Sequence, residues 1–423
     1  MKKNTNNTRI FAIDTEVSND THKTKLNNND LIVGASGTGK TTGYVIPNLC
    51  RGNDSYIVAD TKGSLYKKLG NMFRKKGYNV KLIDFSCLKN SCSYNPLDNI
   101  EYYSPTDYCE QDVLRIASVI CPTTCDREPF WENSARTVIT SMIAYVLEAL
   151  PRKDHNLVNV TKLYRILNTS TGRRLFYALE DKNPDSFAVR QYKSYSGTMA
   201  NVEKTWNCIA QYVVNALELF DFKESKRVFG NSSDFTFEEL GNSKTVFFVN
   251  LSDSDRSMDR LVNIFYTQAF QSLMRLADSN ENYRLDVPVR IILDDFATNT
   301  YIPDFDKIIS VIRSREISVS IILQSISQLD GMYNMAQAKT ILNNCDHLLY
   351  LGGQDIDTAE FIAMRICKSP ESILEQPIDK AYLITRGEKA KIIDKLSVYE
   401  ADVNENTSSD DNTDPSEAEF EFD

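Results

Sequence analysis

The sequence predicts an α/β protein: a mostly parallel sheet split by an all-α insertion. Three observations predict it. The stretch Gly34-Ala35-Ser36-Gly37-Thr38-Gly39-Lys40-Thr41 fits G-x-x-x-x-G-K-[ST]. Short apolar runs alternate with helical patterns on both sides of a long helical middle. An acid-tipped strand, Val289 to Asp294-Asp295, lies 254 residues beyond Lys40, too far for a minimal nucleotide-binding core.

The phosphate loop has the flanks it needs. Leu31-Ile32-Val33 reads as a buried strand before it, and Thr41 to Cys50 as a helix after it, with Pro47 late in that span. Glycines let consecutive N–H groups point inward at one anion, and the new helix offers its positive end. The segment Gly34 to Thr42 is thus the candidate nucleotide-binding element, with Lys40 on the β- and γ-phosphates of ATP and Thr41 on Mg2+.

Upstream, residues 1–24 are a polar arm whose Ile10-Phe11-Ala12-Ile13 suits either a lead-in strand or contact with a neighbouring subunit. Residues 25–104 hold the first part of the nucleotide-binding domain. After the loop come a strand Ser55 to Ala59 ending at Asp60, a helix Leu65 to Lys76 and a strand Val80 to Phe85. Residues 105–235 read as the inserted helical domain, with stripes Ile139, Met142, Ile143, Val146, Leu150 and Trp206, Ile209, Val213, Ala216, Leu217, Phe220. The second part, 236–398, brings strands Thr245–Leu251, Val289–Leu293, Ser318–Leu323 and His347–Leu351, and a helix from about Met258 to Ala277. Lys380–Ile384 reads as a last edge strand and Arg386-Gly387-Glu388-Lys389 as a hairpin turn. Residues 399–423 read as a disordered acidic tail.

Chemistry gathers where strands end. Asp294 would hold Mg2+ with Thr41, and Asp295 would orient or deprotonate the attacking water. Asp60, Asp253 and Gln324 also follow strands, the edge where open α/β sheets bind ligands. Gln324 suits a γ-phosphate sensor or a holder of the lytic water. Either Arg313 or Arg315, before the Ser318 strand, could stabilise charge on the γ-phosphate.

The net charge of -10 is local. Ten acidic residues and no Lys or Arg occur from Glu400 onward, leaving 48 acidic against 48 basic residues elsewhere. A neutral body leaves no bulk basic footprint for nucleic acid, although a ring need only line its pore with cations. The tail is expected to contact basic proteins. Nine cysteines lack CxxC spacing and read as reduced, mostly buried thiols of an intracellular protein. No apolar stretch is long enough to span a bilayer, and no secretory signal is visible.

The ordered string of motifs resembles the TraG/TraD-type coupling ATPases of bacterial conjugation and type IV secretion. It runs through Gly34 to Thr42 with Ile46-Pro47-Asn48-Leu49, Asp60-Thr61-Lys62-Gly63, Ser93-Tyr94-Asn95-Pro96-Leu97, Phe130-Trp131-Glu132, Asp294-Asp295-Phe296-Ala297, Ile302-Pro303-Asp304-Phe305, Ile312-Arg313-Ser314-Arg315 and Gln324 to Leu329. The resemblance implies a RecA/FtsK-like motor domain, assembled as a homo-hexamer, that hydrolyses ATP to move single-stranded DNA with its relaxase into the secretion channel. It implies that Lys40, Thr41 and Asp294 bind MgATP, Gln324 senses the γ-phosphate, and Arg313 is donated by the neighbouring subunit. The inserted domain would share in recognising relaxase and accessory relaxosome proteins.

Three departures qualify the match. Asp294-Asp295 stands where the family has Asp-Glu, shortening the second acid by a methylene. Asp60-Thr61-Lys62-Gly63-Ser64 replaces Asp-Pro-Lys-Gly-Glu. Most members begin with transmembrane helices and this sequence shows none, so the chain is expected in the bacterial cytoplasm, at the inner face of the membrane. A separate membrane anchor subunit, peripheral docking on the channel, or a shortened chain would each account for that. The alternative function is a nucleotide-binding adaptor that only recruits relaxosome proteins.

Overall fold

The structure is a computed structural model and describes residues 7–123, 128–252, 254–296 and 301–396. In chain order the strands are β1 (Thr8–Ala12), β2 (Thr15–Ser18), β3 (Asp30–Val33), β4 (Ser55–Asp60), β5 (Asn79–Asp84), β6 (Tyr102–Ser104), β7 (Asp107–Tyr108), β8 (Thr245–Asn250), β9 (Val289–Leu293), β10 (Ile317–Leu323), β11 (His347–Tyr350), β12 (Lys380–Thr385) and β13 (Lys391–Asp394). Nine form one sheet, in the order β13-β12-β11-β3-β10-β9-β4-β8-β5. From β11 to β5 every pairing is parallel, and β12 and β13 run antiparallel at one edge. This is the α/β architecture expected. Residues on both sides of the helical middle build a single sheet.

The interior strands β3, β4, β8, β9, β10 and β11 are buried along their whole length. Helices cover both faces of such a sheet, so these strands are mostly apolar, although Arg290 interrupts β9 and Ser318 and Ser320 interrupt β10. Alternate residues serve opposite faces: Leu31 and Val33 join one core, Ile32 the other. The second core also takes Tyr44, Val45 and Leu49 from beyond the phosphate loop and Leu65 and Phe73 from the helix Ser64–Lys75.

The helices Glu110–Ile120, Phe130–Ala149, Leu157–Leu167, Ser170–Lys182, Phe187–Asn201, Glu203–Leu217 and Lys223–Phe229 fill the middle. Both stripes are buried except Leu150, which is half-buried at a helix end. Their apolar side chains are continuous with the first core of the sheet. Ser93 to Leu97 is the joint. Tyr94 N–H donates to Val228 O at 2.9 Å, and its buried hydroxyl to Gln268 Oε1 at 2.6 Å. Asn95 Nδ2 donates to His155 O at 2.7 Å, so one motif bonds both to the Lys223–Phe229 helix and to the turn before the Leu157–Leu167 helix.

Several local readings need correction. Lys380–Ile384 falls in β12, which is not the edge, because β13 pairs outside it across the turn after Thr385. The span after the phosphate loop is a π-helix, Lys40–Val45, followed by an α-helix, Ile46–Arg51. Pro47 has no N–H for the carbonyl four residues back, and the wider π turn lets Ile46 N–H reach Thr41 O instead. Only Cys109 and Cys121 among the described thiols are buried; Cys87, Cys208 and Cys367 are exposed. The apolar group at residues 10–13 lies in a β1–β2 hairpin held on its own chain, where Asn48 accepts from Ile10 N–H at 2.9 Å and donates to Ile10 O at 2.8 Å. The acidic tail lies outside the described residues, as do Asp253 and Ala297.

Candidate active site

Strand order creates the site. β10 lies between β3 and β9, so the loop after β3 and the acids after β9 emerge on the same edge, one strand apart. Thr41 Oγ1 donates to Asp294 Oδ2 at 2.8 Å. Asp294 is only 6% exposed, and burial pushes its carboxyl up to about 6. The Thr41 hydroxyl opposes that rise, and the neighbouring Asp295 charge adds to it. Asp295 takes a left-handed backbone (φ 49°), and its N–H donates to Asp294 Oδ1 at 3.1 Å.

The loop is folded for an anion. Gly37 (φ 77°) and Gly39 (φ 92°) adopt the left-handed conformation that side chains with a Cβ resist. Thr38 Oγ1 donates to Ala35 O at 2.8 Å and closes the turn. Lys40 Nζ donates to Gly34 O at 2.7 Å and Ala35 O at 3.0 Å. Burial draws its pKa down, while the charges of Asp295 and Asp294 hold it up. An ammonium held by carbonyls, with carboxylates nearby, is poised to exchange them for phosphate oxygens.

A cleft of about 450 Å³ joins these parts. Ser36, Gly37, Gly39, Lys40, Thr41 and Thr42 line one side, and Asp294, Asp295 and Gln324 another. Gln324 N–H donates to Gln328 Oε1 at 2.9 Å, and the side chain of Gln324 is exposed on this rim. Arg313 is not brought here. It precedes β10, whereas Gln324 follows it, so Arg313 stands at the opposite edge of the sheet beside Glu316 and Asp54. Arg315 is engaged by Asp278, with Nε to Oδ1 at 2.8 Å.

Sequence reasoning placed Asp60 at the ligand-binding edge but gave no site role to Lys62 and passed over Lys68, both of which line this cleft. Asp60 ends β4 and accepts four backbone N–H groups, from Lys62, Ser64, Leu65 and Tyr66, at 2.6 to 3.3 Å. That caps the helix Ser64–Lys75 and holds its start, with Lys62 and Lys68, on the cleft. The signal for Lys68 was its place four residues after Ser64, one turn along the same helical face.

The donor set fits a magnesium–nucleoside triphosphate. Among the described residues no three His, Cys, Asp or Glu side chains gather to hold a metal alone. One hydroxyl and one carboxylate, already in hydrogen-bond contact, suit an ion that takes its remaining oxygens from phosphate and water.

Residues 1–369 match the family model for type IV secretory system conjugative DNA transfer. The chain belongs to that family. Among curated relatives, VirD4 of Agrobacterium fabrum is 24% identical over 341 residues, covering 79% of this chain and 49% of VirD4. The VirD4 coupling protein of Bartonella henselae is 21% identical over 376 residues, covering 83% and 55%. This family member therefore spans about half the length of the curated relatives it matches. Among solved structures, the conjugative coupling protein TrwBdeltaN70 superposes with a TM-score of 0.64 at 16% identity, covering 87% of this chain and 85% of that one. TrwB in complex with ADP and Mg2+ superposes with a TM-score of 0.62 at 16% identity, with the same coverage. The fold is thus that of the TrwB-type coupling proteins. Among the described residues no helix is long and apolar enough to cross a membrane.

Proposed function

We propose that this chain is the nucleotide-driven part of a coupling protein. It would bind ATP with Mg2+ and hydrolyse it to drive single-stranded DNA, with its relaxase, into a type IV secretion channel. The observation that carries the reading is the hydrogen bond between Thr41 and Asp294, with Lys40 lining the same cleft. Solved TrwB complexes with ADP and Mg2+ and with a non-hydrolysable ATP analogue support it by likeness of fold.

Bound ATP would supply the phosphoanhydride to be cleaved, and Mg2+ would offset the charge that develops on it. Lys40 trades the carbonyls of Gly34 and Ala35 for phosphate oxygens, while the N–H groups of Gly34 to Thr42 cradle the rest. Thr41 and Asp294 hold the ion. Asp295 aligns a water molecule or takes its proton, and Gln324 senses the terminal phosphate. Arg313, remote from its own cleft, serves the cleft of the next copy in a homo-hexamer.

In this reading residues 25–104 and 236–398 form the motor and 105–235 the inserted domain that recognises relaxase and accessory relaxosome proteins. The protein works at the inner face of the membrane, on the channel or on a separate anchor subunit. ATP turnover with and without single-stranded DNA tests it. DNA-stimulated hydrolysis that Lys40→Ala abolishes is expected. An assembled ring that binds nucleotide without turnover would leave the adaptor reading, recruitment of relaxosome proteins alone.

A further inference from the structure

One surface beside the cleft is basic and makes no ion pair among the described residues, although Asp60, Asp294 and Asp295 line the same cleft. From Thr61 to Lys76 the chain carries Lys62, Lys67, Lys68, Arg74, Lys75 and Lys76 and no acidic residue. Lys62, Lys67, Lys68 and Lys75 are exposed, and none of the four has a carboxylate partner among the described residues. Lys62 and Lys68 line the cleft itself. Four like charges left unneutralised on one short helix and its entry turn repel one another, so an acidic occupant would relieve them.

The chain carries such an occupant, and the fold roots it here. Beyond β13, Lys395 Nζ donates to Leu351 O at 2.6 Å. The next residue, Gly352, accepts from Ala35 N–H in the phosphate loop at 2.9 Å. Leu396 then crosses the π-helix so closely that a Cβ on Gly43 would stand 2.9 Å from Leu396 O, a backbone approach only glycine allows. Gly43 is two residues from Thr41. The acidic segment starts four residues after this crossing, at Glu400, and four residues reach at most about 14 Å. The remaining chain to Asp423 has length to spare for the lysines.

We propose that residues 400–423 dock in cis on the Lys62, Lys67 and Lys68 surface and compete there with the triphosphate for Lys62 and Lys68. The competition rests on the nucleotide reading above; the docking does not. A basic partner that strips the segment away would then raise nucleotide affinity, coupling cargo arrival to loading of the motor.

Carbodiimide cross-linking of the full chain, which joins carboxylates to amines in direct contact, tests the docking. The expected result at low salt is intramolecular links from residues 400–423 to Lys62, Lys67 or Lys68, lost in 1 M NaCl, where screening shortens to about 3 Å. Links spread evenly over surface lysines, or found only between copies, would overturn it. For the competition, a fluorescent ATP analogue is titrated into the full chain and into a form with the ten carboxylates changed to Asn and Gln. Neutralisation is expected to tighten binding on the order of tenfold at low salt, the worth of two or three exposed ion pairs. Equal affinities would overturn the competition. Failure of both forms to bind the analogue would sink the nucleotide reading, with the cross-links still deciding the docking.

Discussion

Thr41 and Asp294 are 253 residues apart in the chain, and the hydroxyl of one donates to the carboxylate of the other at 2.8 Å. A helical excursion and several strands intervene, yet β3 and β9 deliver both groups to one edge with only β10 between. The contact is the kind a magnesium site needs, since it fixes the carboxylate without using its other oxygen lone pairs.

It also makes Asp294 sensitive to pH. Its carboxyl titrates near 6 in the fold, raised from 3.8 chiefly by burial. A raised value means the folded chain holds that proton more tightly. Asp294 therefore favours folding below about pH 4 and loses that contribution as pH rises through 6. The shift is worth about 3 kcal/mol. Asp294→Asn is expected to raise the denaturation midpoint of the nucleotide-free protein at pH 7.5, by a margin that fades between pH 6 and 4. If Asp294 holds Mg2+ in the unmodified protein, the ion must displace the proton, so its apparent affinity should fall about tenfold per unit below pH 6. Magnesium titrations from pH 5 to 7.5 check this; a flat profile would remove Asp294 from the site.

Asp295 separates motor from adaptor. Its left-handed backbone suits Asn almost as well as Asp, so Asp295→Asn should keep the fold. If the carboxylate aligns or deprotonates water, turnover should drop about 10² to 10⁴-fold while nucleotide affinity holds. Steady-state hydrolysis beside equilibrium binding distinguishes this from a loss of the site. Unchanged turnover would return the role to water alone or to Gln324.

How much of this was legible follows from distance along the chain. The phosphate loop is local, and its glycine, lysine and threonine spacing is written in eight consecutive residues. Asp294 was legible because Val289 to Leu293, apolar but for Arg290, reads as a strand, and Asp294 is the first polar residue at its end. The π-helix was not, because it depends on how Pro47 trades hydrogen bonds with residues a turn earlier. Nor was the cluster under the sheet. Arg290 reads as an interruption of an apolar strand, and Asp30 as a loop residue. Only the pairing of β10 with both β3 and β9 makes them neighbours. Lys68 was legible as a helix residue but not as part of the cleft, because only the pairing of β4 with β9 brings its helix start near Asp294.

That buried cluster should hold the amino edge of the sheet together. Asp30 Oδ2 lies 2.8 Å from Arg9 Nε and 3.1 Å from Arg290 Nη1, and it accepts from Tyr44 OH at 2.5 Å. Arg290 Nε also lies 3.4 Å from Asp54 Oδ2. Deleting the shared carboxylate leaves two buried guanidinium groups facing each other. Asp30→Ala is expected to cost about 3–5 kcal/mol, and to expose the β1–β2 hairpin to protease. Ile13→Ala, at the exposed hairpin tip, should be near neutral in the same denaturation assay. Equal midpoints would mean the cluster stabilises nothing.

Arg313 makes the quaternary prediction. β10 has seven residues, so about 23 Å of strand separates its start from the cleft edge. An arginine side chain cannot cover that distance within one chain, so any action on a terminal phosphate must be across an interface. Arg313→Ala is then expected to bind nucleotide normally and to lose turnover about 10³-fold or more. Lys40→Ala lacks the lysine proposed to grip phosphate but keeps its own Arg313. Rings mixed from the two variants pair some intact clefts with intact arginines, so part of the lost activity should return, with a maximum near equal proportions. A mixing curve with no recovery would make Arg313 a structural residue of the face it shares with Glu316 and Asp54.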